Sequence, residues 1–427
     1  MKTKFVTFLG VVFCALILSG LVCSVYGAAD SAWSHTYGGL DDDTAVMVIQ
    51  TSDGGYAVLG TSFSFGAGLD DFWLVKVDKN GNMQWNQTYG GTGQDPAAAL
   101  IQTTDGGYAL AGTTNSYGAG GNDYWLVKTD KNGNVEWNQT YGGAKVDEAV
   151  ALAQTADKGY ALGGYTNSYG AGDWDYWLVK TYENGTVEWT QTYGGIAQDK
   201  TTDMIQTKDG GYALIGTSIS FTDGTHWDMW VVKTDKNGNT QWNQTYGGTK
   251  DELAGDIIQT SDQGYALTGS TYSYGSGEVD FWLVKTDKNG NMQHNWAFGG
   301  TKIDEVTSVI QATDESYVMV GNTKSFGEGS WNAWLIKVDQ AGTIVWETVH
   351  GTEEVHDGAA CVIQASDGGF VVAGTNSPDV SSFWDYWLFK TDAQGIVPEF
   401  SVLMLVAFFV ACGIFVCVIR IRMQKRN

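Results

Sequence analysis

The chain has 427 residues, with 48 acidic against 24 basic side chains and a net charge of −24. Six of the basic residues stand at the extreme ends (Lys2, Lys4, Arg420, Arg422, Lys425, Arg426). The middle therefore carries about −30 and no arginine, which argues against nucleic acid or anionic lipid as a partner and removes the usual bidentate reader of phosphate and carboxylate. The 57 glycines, 3 prolines and 13% aromatic content fit an all-β protein. Only Cys361 lies outside the terminal apolar segments, inside the run Ala359–Ile363, where it reads as a buried core thiol; a disulfide scaffold is excluded.

Met1–Ala28 has two lysines, a long apolar stretch and small residues at Gly27-Ala28-Ala29. This is the pattern of a secretory signal cleaved near Ala28; an uncleaved anchor is the alternative. A lipoprotein reading through Cys23 is disfavoured by Val22 before it.

From Trp33 onward the text repeats. Trp33, Trp85, Trp137, Trp189, Trp242, His294 and Trp346 occupy one slot at steps of 52, 52, 52, 53, 52 and 52 residues. A period of that length signals a propeller, solenoid or array, and it overrides the length-based expectation of about three domains. Each unit supplies four short strands separated by turn signals. In the third unit these are Ala149–Thr155, Tyr160–Tyr165, Tyr176–Thr181 and Val187–Tyr193. Stretches such as Asp130–Asn134 are hairpin turns whose Asn and Gly tolerate positive φ. Strands such as Tyr124–Val127 are apolar without alternation, as expected when a sheet is covered on both faces.

The last unit lacks its tryptophan strand: Tyr386–Asp392 runs straight on to Pro398. The missing strand stands at the start of the chain, as Ala32–Tyr37. An open solenoid needs polar caps at both ends, and none is present. The expectation is a closed ring of seven four-stranded blades over Ala32–Val397, with the Trp33 strand completing the last blade. The D-G-G-Y turns and K-N-G-N hairpins should share one face. The glycine loops after each Tyr and the S-Y-G-x-G loops should share the other.

Two acids recur on that second face. Asp43, Asp95, Asp147, Asp199, Asp304 and Asp357, with Glu252 in the fifth unit, fall just before the inner strand. Asp71, Asp123, Asp175, Asp228, Asp280 and Asp385, with Asn332 in the sixth, fall just before the third. Such rings suit either a hard cation such as Ca2+ or the fastening of glycine-rich loops through backbone N–H groups. The second reading is preferred, because a residue found in nearly every blade serves what every blade needs. Departures from the repeat are better candidates for a site. Four units insert a tryptophan beside the second acid: Trp174, Trp227, Trp331 and Trp384, against Asp70, Asn122 and Val279 elsewhere. Aromatic faces on polar loops suit sugar rings or protein contacts; packing against a neighbouring blade is the structural alternative.

Glu353-Glu354-Val355-His356-Asp357 matches no standard metal spacing. His294 reads as a local replacement of the repeat tryptophan. No nucleophile elbow, zinc-protease helix or phosphate loop is present, so no catalytic residue is assigned. Asn86, Asn138, Asn184 and Asn243 open N-x-Thr sequons, three of them just after the blade tryptophan. They are glycosylation candidates or by-products of the repeat text.

Phe400–Ile419 is a run of 20 uncharged, mostly apolar residues followed at once by basic ones. It is long enough for one membrane span, with the tail inside and the repeats outside. The tripeptide Pro398-Glu399-Phe400, the span and the basic tail resemble the PEF-CTERM sorting signals of archaeal surface proteins. That resemblance implies processing by an archaeosortase; a plain type I anchor is the alternative for 398–427. The repeats resemble the seven-bladed β-propeller repeats of bacterial and archaeal surface proteins and, less closely, the quinoprotein propellers. The resulting expectation is a cell-surface, membrane-anchored, non-enzymatic propeller. It would bind a cell-envelope glycan or another surface protein without a cofactor. A secreted quinone-dependent dehydrogenase or lyase and a purely structural surface-layer spacer are the rivals.

Overall fold

The computed structural model describes residues 32–397 apart from 223, 328–329, 352–355 and 378–382. The expected signal peptide, the PEF tripeptide and the span 400–419 lie outside the described residues. Within them, 28 strands form seven four-stranded antiparallel sheets. No helix among the described residues is long and apolar enough to cross a membrane.

The described residues open with β1 (Trp33–Tyr37). Blade 1 is then β2 (Asp43–Gln50), β3 (Tyr56–Ser62), β4 (Asp71–Val77) and β5 (Met83–Tyr89), paired in that order from inside outward. Blades 2 to 6 repeat this arrangement. Blade 7 is β26 (Gly358–Gln364), β27 (Phe370–Asn376) and β28 (Asp385–Lys390), and β1 is its fourth strand. β1 runs antiparallel to β28 with Trp33 opposite Lys390 and Tyr37 opposite Tyr386. The Trp387 indole N–H donates to Ser34 Oγ at 2.9 Å. The ring is thus closed by a strand from the far end of the chain, as the missing tryptophan strand required.

The apolar runs without alternation are the second and third strands of each blade, and β3 and β4 are buried along their whole length. Outer strands are largely exposed, and β5 shows water its polar side chains. Among the described residues the apolar side chains gather in seven layers rather than one central core, each layer built from neighbouring blades. The D-Y-W text explains itself there: Tyr124 packs on Trp177 of the next blade at 4.7 Å, and its hydroxyl donates to the Trp177 carbonyl at 3.0 Å. Burying such rings, at about 25 cal/mol per Å² of apolar area, is the main force between blades.

The slot tryptophan of the outer strand also joins blades. Trp85 meets Tyr108 edge-on at 5.8 Å, and Tyr89 Oη donates to the Gly133 carbonyl of the next hairpin at 2.7 Å. In blade 5 His294 takes that slot, and Trp296, two residues on and so on the same strand face, moves under Gly342 in its place. On the same side of the ring a buried lysine ties the two turns of a blade together. Lys180 Nζ lies 2.9 Å from Asp157 of the D-K-G turn and 2.8 Å from the Thr181 carbonyl. Burial raises Asp157, but the Thr155 hydroxyl, the Lys180 ammonium and the Gly159 N–H outweigh it and hold the carboxyl at about 2.

Two details differ from expectation. Most of the recurrent acids are the first residues of their strands rather than loop residues before them (Asp147, Asp175). Each innermost strand also carries a β-bulge, as between Ala45 and Met47, which the alternation of side chains did not reveal.

Candidate binding site between blades 6, 7 and 1

The recurrent acids fasten loops. Asp95 accepts from the Thr114 hydroxyl, from Ser116 Oγ at 2.7 Å and from the Gly91 N–H at 2.7 Å. Asp147 repeats this with Thr166, Ser168 and Gly143. Asp43 takes the Gly39 N–H at 2.9 Å. Glu252, one carbon longer, still reaches the Gly248 N–H at 2.7 Å, and Asp199 and Asp304 hold Gly195 and Gly300. Asp357 accepts from the Asn376 amide. Among the described residues no group of three or more His, Cys, Asp or Glu converges as a metal cluster.

The four additional tryptophans share one structural position. The carbonyl of each accepts the N–H of the acid that opens the next blade: Trp174 from Asp199 at 2.8 Å, Trp227 from Glu252 at 2.7 Å, Trp331 from Asp357 at 3.1 Å and Trp384 from Asp43 at 2.5 Å. Asp70, Asn122 and Val279 do the same with their carbonyls, so the backbone role belongs to the slot and only the side chain is free to vary. The indoles diverge. Trp174 packs edge-on to Tyr165 at 5.2 Å and carries Lys200 Nζ 4.6 Å above its ring. Trp227 is half-buried, and its backbone N–H donates to Asp251 at 2.9 Å. Trp331 has Lys324 Nζ at 4.2 Å from its ring centre. Trp384 is 43% exposed.

Trp331 and Trp384 line one cavity of about 590 Å³ together with Thr44, Glu305, His356 and Gly358. Two lining positions of blade 7 are both small. The residue after the first acid is Thr44, Pro96, Glu148, Lys200, Leu253 or Glu305 in the other blades and Gly358 here. Two residues on, Ala360 stands where the adjoining sixth and first blades have Thr307 and Val46, and blades 2 and 5 have Ala98 and Gly255. With both side chains shortened, the innermost strands of blades 6, 7 and 1 leave a space lined by two indoles and edged by Glu305, Asn322 and Thr375. Trp174 and Trp227 belong to other blade junctions and do not line it.

The sequon asparagines are exposed on outer strands, with Asn184 in a turn. Asn86, Asn138 and Asn243 also serve the scaffold. Each Oδ1 accepts from a buried indole N–H, as from Trp73 to Asn86 at 3.2 Å. Asn295, which opens no sequon, does the same for Trp282, so the repeat text accounts for these asparagines.

One cluster escaped the reading of the sequence. The bulge slot of the innermost strand holds Met47, Ala99, Ala151, Asp203, Asp256, Ser308 and Cys361 in blade order. Asp203 hydrogen-bonds Asp256, which bonds Ser308, which bonds Cys361. Each acid also accepts the bulge N–H of the following blade, Asp203 from Ile257 at 3.3 Å and Asp256 from Val309 at 2.8 Å. Burial and the charge of Asp256 push Asp203 well above the carboxylate range. Burial likewise pushes the Cys361 thiol up to about 11, so it is a poor nucleophile. Aligning the units slot by slot would have exposed this polar arc.

No family model matches the chain. The WD40 domain of Neurospora crassa Pan2 superposes with a TM-score of 0.52 at 9% identity, over 83% of this chain and 91% of that one. Drosophila Plexin A, solved in complex with Semaphorin 1b, gives 0.49 at 9% identity over 83% and 88%. Such likeness concerns the propeller fold alone. By sequence, 225 residues are 25% identical to the regulatory protein FlaEY of Caulobacter vibrioides, covering 47% of this chain and 22% of that protein. The chain thus spans about a fifth of the length of that relative.

Proposed function

We propose that the chain is an exported, surface-anchored propeller that binds a cell-envelope carbohydrate in the cavity between blades 6, 7 and 1. One observation carries this: an indole 43% exposed at Trp384 and a second at Trp331 line a cavity of about 590 Å³ with carboxylate, amide and hydroxyl groups at its edge. Sugar rings offer apolar C–H faces to indoles and hydroxyls to such polar groups. Export and anchoring rest on 1–28 and 398–427, and an outward-facing propeller would also permit glycans at Asn86, Asn138, Asn184 and Asn243. Calorimetric titration with purified envelope glycans tests the reading. Trp384→Ala should weaken binding by about tenfold or more, the 1–2 kcal/mol of a lost aromatic anchor. Ala360→Leu should abolish it by filling the cavity while leaving the indoles in place. Wild-type protein that binds no glycan, or variants that bind as wild type, would overturn it. Retained binding of a surface protein alone would move the site to a different ligand class.

A further inference from the structure

At six of the seven blade junctions the sequence supplies two acids: one opening the third strand of one blade and one at or just before the first strand of the next. At the junction of blades 2 and 3 these are Asp123 and Asp147. Asp147 spends both oxygens on loop donors, with the Thr166 hydroxyl on Oδ1 and with Gly143 N–H and Ser168 Oγ each 2.8 Å from Oδ2. Asp123 Oδ2 accepts from the Ala119 N–H at 2.6 Å. Asp123 Oδ1, in a residue only 1% exposed, has no hydrogen-bond partner. The same buried oxygen is unpartnered in Asp71, Asp175 and Asp280. No ion pair among the described residues involves any of these acids.

The orphan oxygen and the neighbouring carboxylate face the same small space. Asp123 Oδ1 and Asp147 Oδ2 lie 1.6 and 2.9 Å from the point that a Cβ on Gly142 would occupy. Asp175 and Asp199 lie 1.8 and 2.9 Å from the corresponding point at Gly194, and Asp280 and Asp304 lie 1.8 and 2.8 Å from that at Gly299. Only glycine fits there, and its missing side chain leaves two oxygens within reach of one ion with contacts of about 2.3–2.6 Å.

A proton does not resolve this arrangement. Placed on Asp123 Oδ1 it would be a buried donor whose neighbouring carboxylate oxygen, Asp147 Oδ2, already accepts from Gly143 and Ser168. Placed on Oδ2 it would face the N–H group that already donates there. Asp203 and Asp256 are placed for a direct carboxyl–carboxyl hydrogen bond; the junction pairs are not.

We propose that the four junctions headed by Asp71, Asp123, Asp175 and Asp280 are calcium sites, in which one ion joins the unpartnered Oδ1 of the third-strand aspartate to the first-strand carboxylate of the next blade. The ion would staple neighbouring blades on the glycine-loop face, opposite the lysine–aspartate ties. The seventh junction supplies the control. Asn332 fills the aspartate slot and is only 3% exposed, its Oδ1 facing Gly351 and its Nδ2 donating to the Phe326 carbonyl at 3.2 Å. An amide therefore fits the slot without its charge.

The test is equilibrium dialysis of the full-length chain against Ca2+ at pH 7, with bound metal measured by mass spectrometry and Tm followed with and without EDTA. Stoichiometric calcium and a Tm that falls on chelation are expected. Asp123→Asn should lose one equivalent. The combined Asp71→Asn, Asp123→Asn, Asp175→Asn and Asp280→Asn protein should lose one per substituted junction and stop responding to EDTA. Less than one equivalent in wild type, or Asp123→Asn holding as much as wild type, would overturn the proposal. So would a wild-type Tm that EDTA leaves unchanged and that the asparagine variants match, the result expected of protonated carboxyls.

Discussion

At the scale of single residues, the repeat separates what every blade needs from what one blade has. Asp147 and its equivalents hold loops; the Asp203–Asp256 pair does not recur and ties blade 4 to blade 5 and blade 5 to blade 6. A carboxyl raised in the folded state binds its proton more tightly there than when unfolded. Its contribution is complete below the ordinary carboxylate range and is lost as pH rises through the folded value. Asp203→Asn keeps a donor toward Asp256 and an acceptor for the Ile257 N–H without needing the proton. The Tm of wild type should therefore decline from about pH 4 to pH 8 more than that of Asp203→Asn, the variant gaining most at the alkaline end. Parallel Tm profiles would show that no proton is shared.

Among the elements, the hairpins decide how closely blades approach. Gly133 has φ +79° and a Cβ there would meet the Trp85 ring at 2.8 Å. Gly106, in the turn between the first two strands of blade 2, has φ +87° and open space around it. Three blades place Lys158, Gln263 and Glu315 in the Gly106 slot at φ of 67–71°, so that turn tolerates a side chain. Gly106→Asn should cost under about 1 kcal/mol and Gly133→Asn about 1–3 kcal/mol more, the difference being the indole contact; urea unfolding of the two variants measures it. The turn signals alone marked both as hairpin glycines. Only the adjacent blade distinguishes them.

For the whole molecule, closure is the decisive contact. β1 supplies five residues to blade 7, and its Ser34 stands 353 residues in sequence from Trp387, the indole it receives. Without β1, the β28 strand presents an unpaired edge and that indole loses its acceptor. A chain beginning at Gly38 should melt well below the parent and lose single-step unfolding, read by calorimetry; an unchanged transition would mean that the ring does not depend on this strand. The missing eighth tryptophan strand made closure legible in the repeat itself. The bulge slot stayed hidden, because alternation along a strand does not tell which residue is displaced by a bulge.

The amino-acid sequence by itself determined the blade number, the four-strand unit, the closing strand and the division of loops onto two faces, since a 52-residue period leaves a unit that buries its apolar faces only against copies of itself. It also isolated the four tryptophans that break the pattern. Tertiary structure alone decided that Trp331 and Trp384 share a cavity while Trp174 lies beneath Lys200, and that acids from different units meet in pairs at the junctions. The physical reason is common to both: these contacts run between blades, where residues about 25 or 50 positions apart are brought together by the angle of one sheet against the next, and that angle is a property of the closed ring.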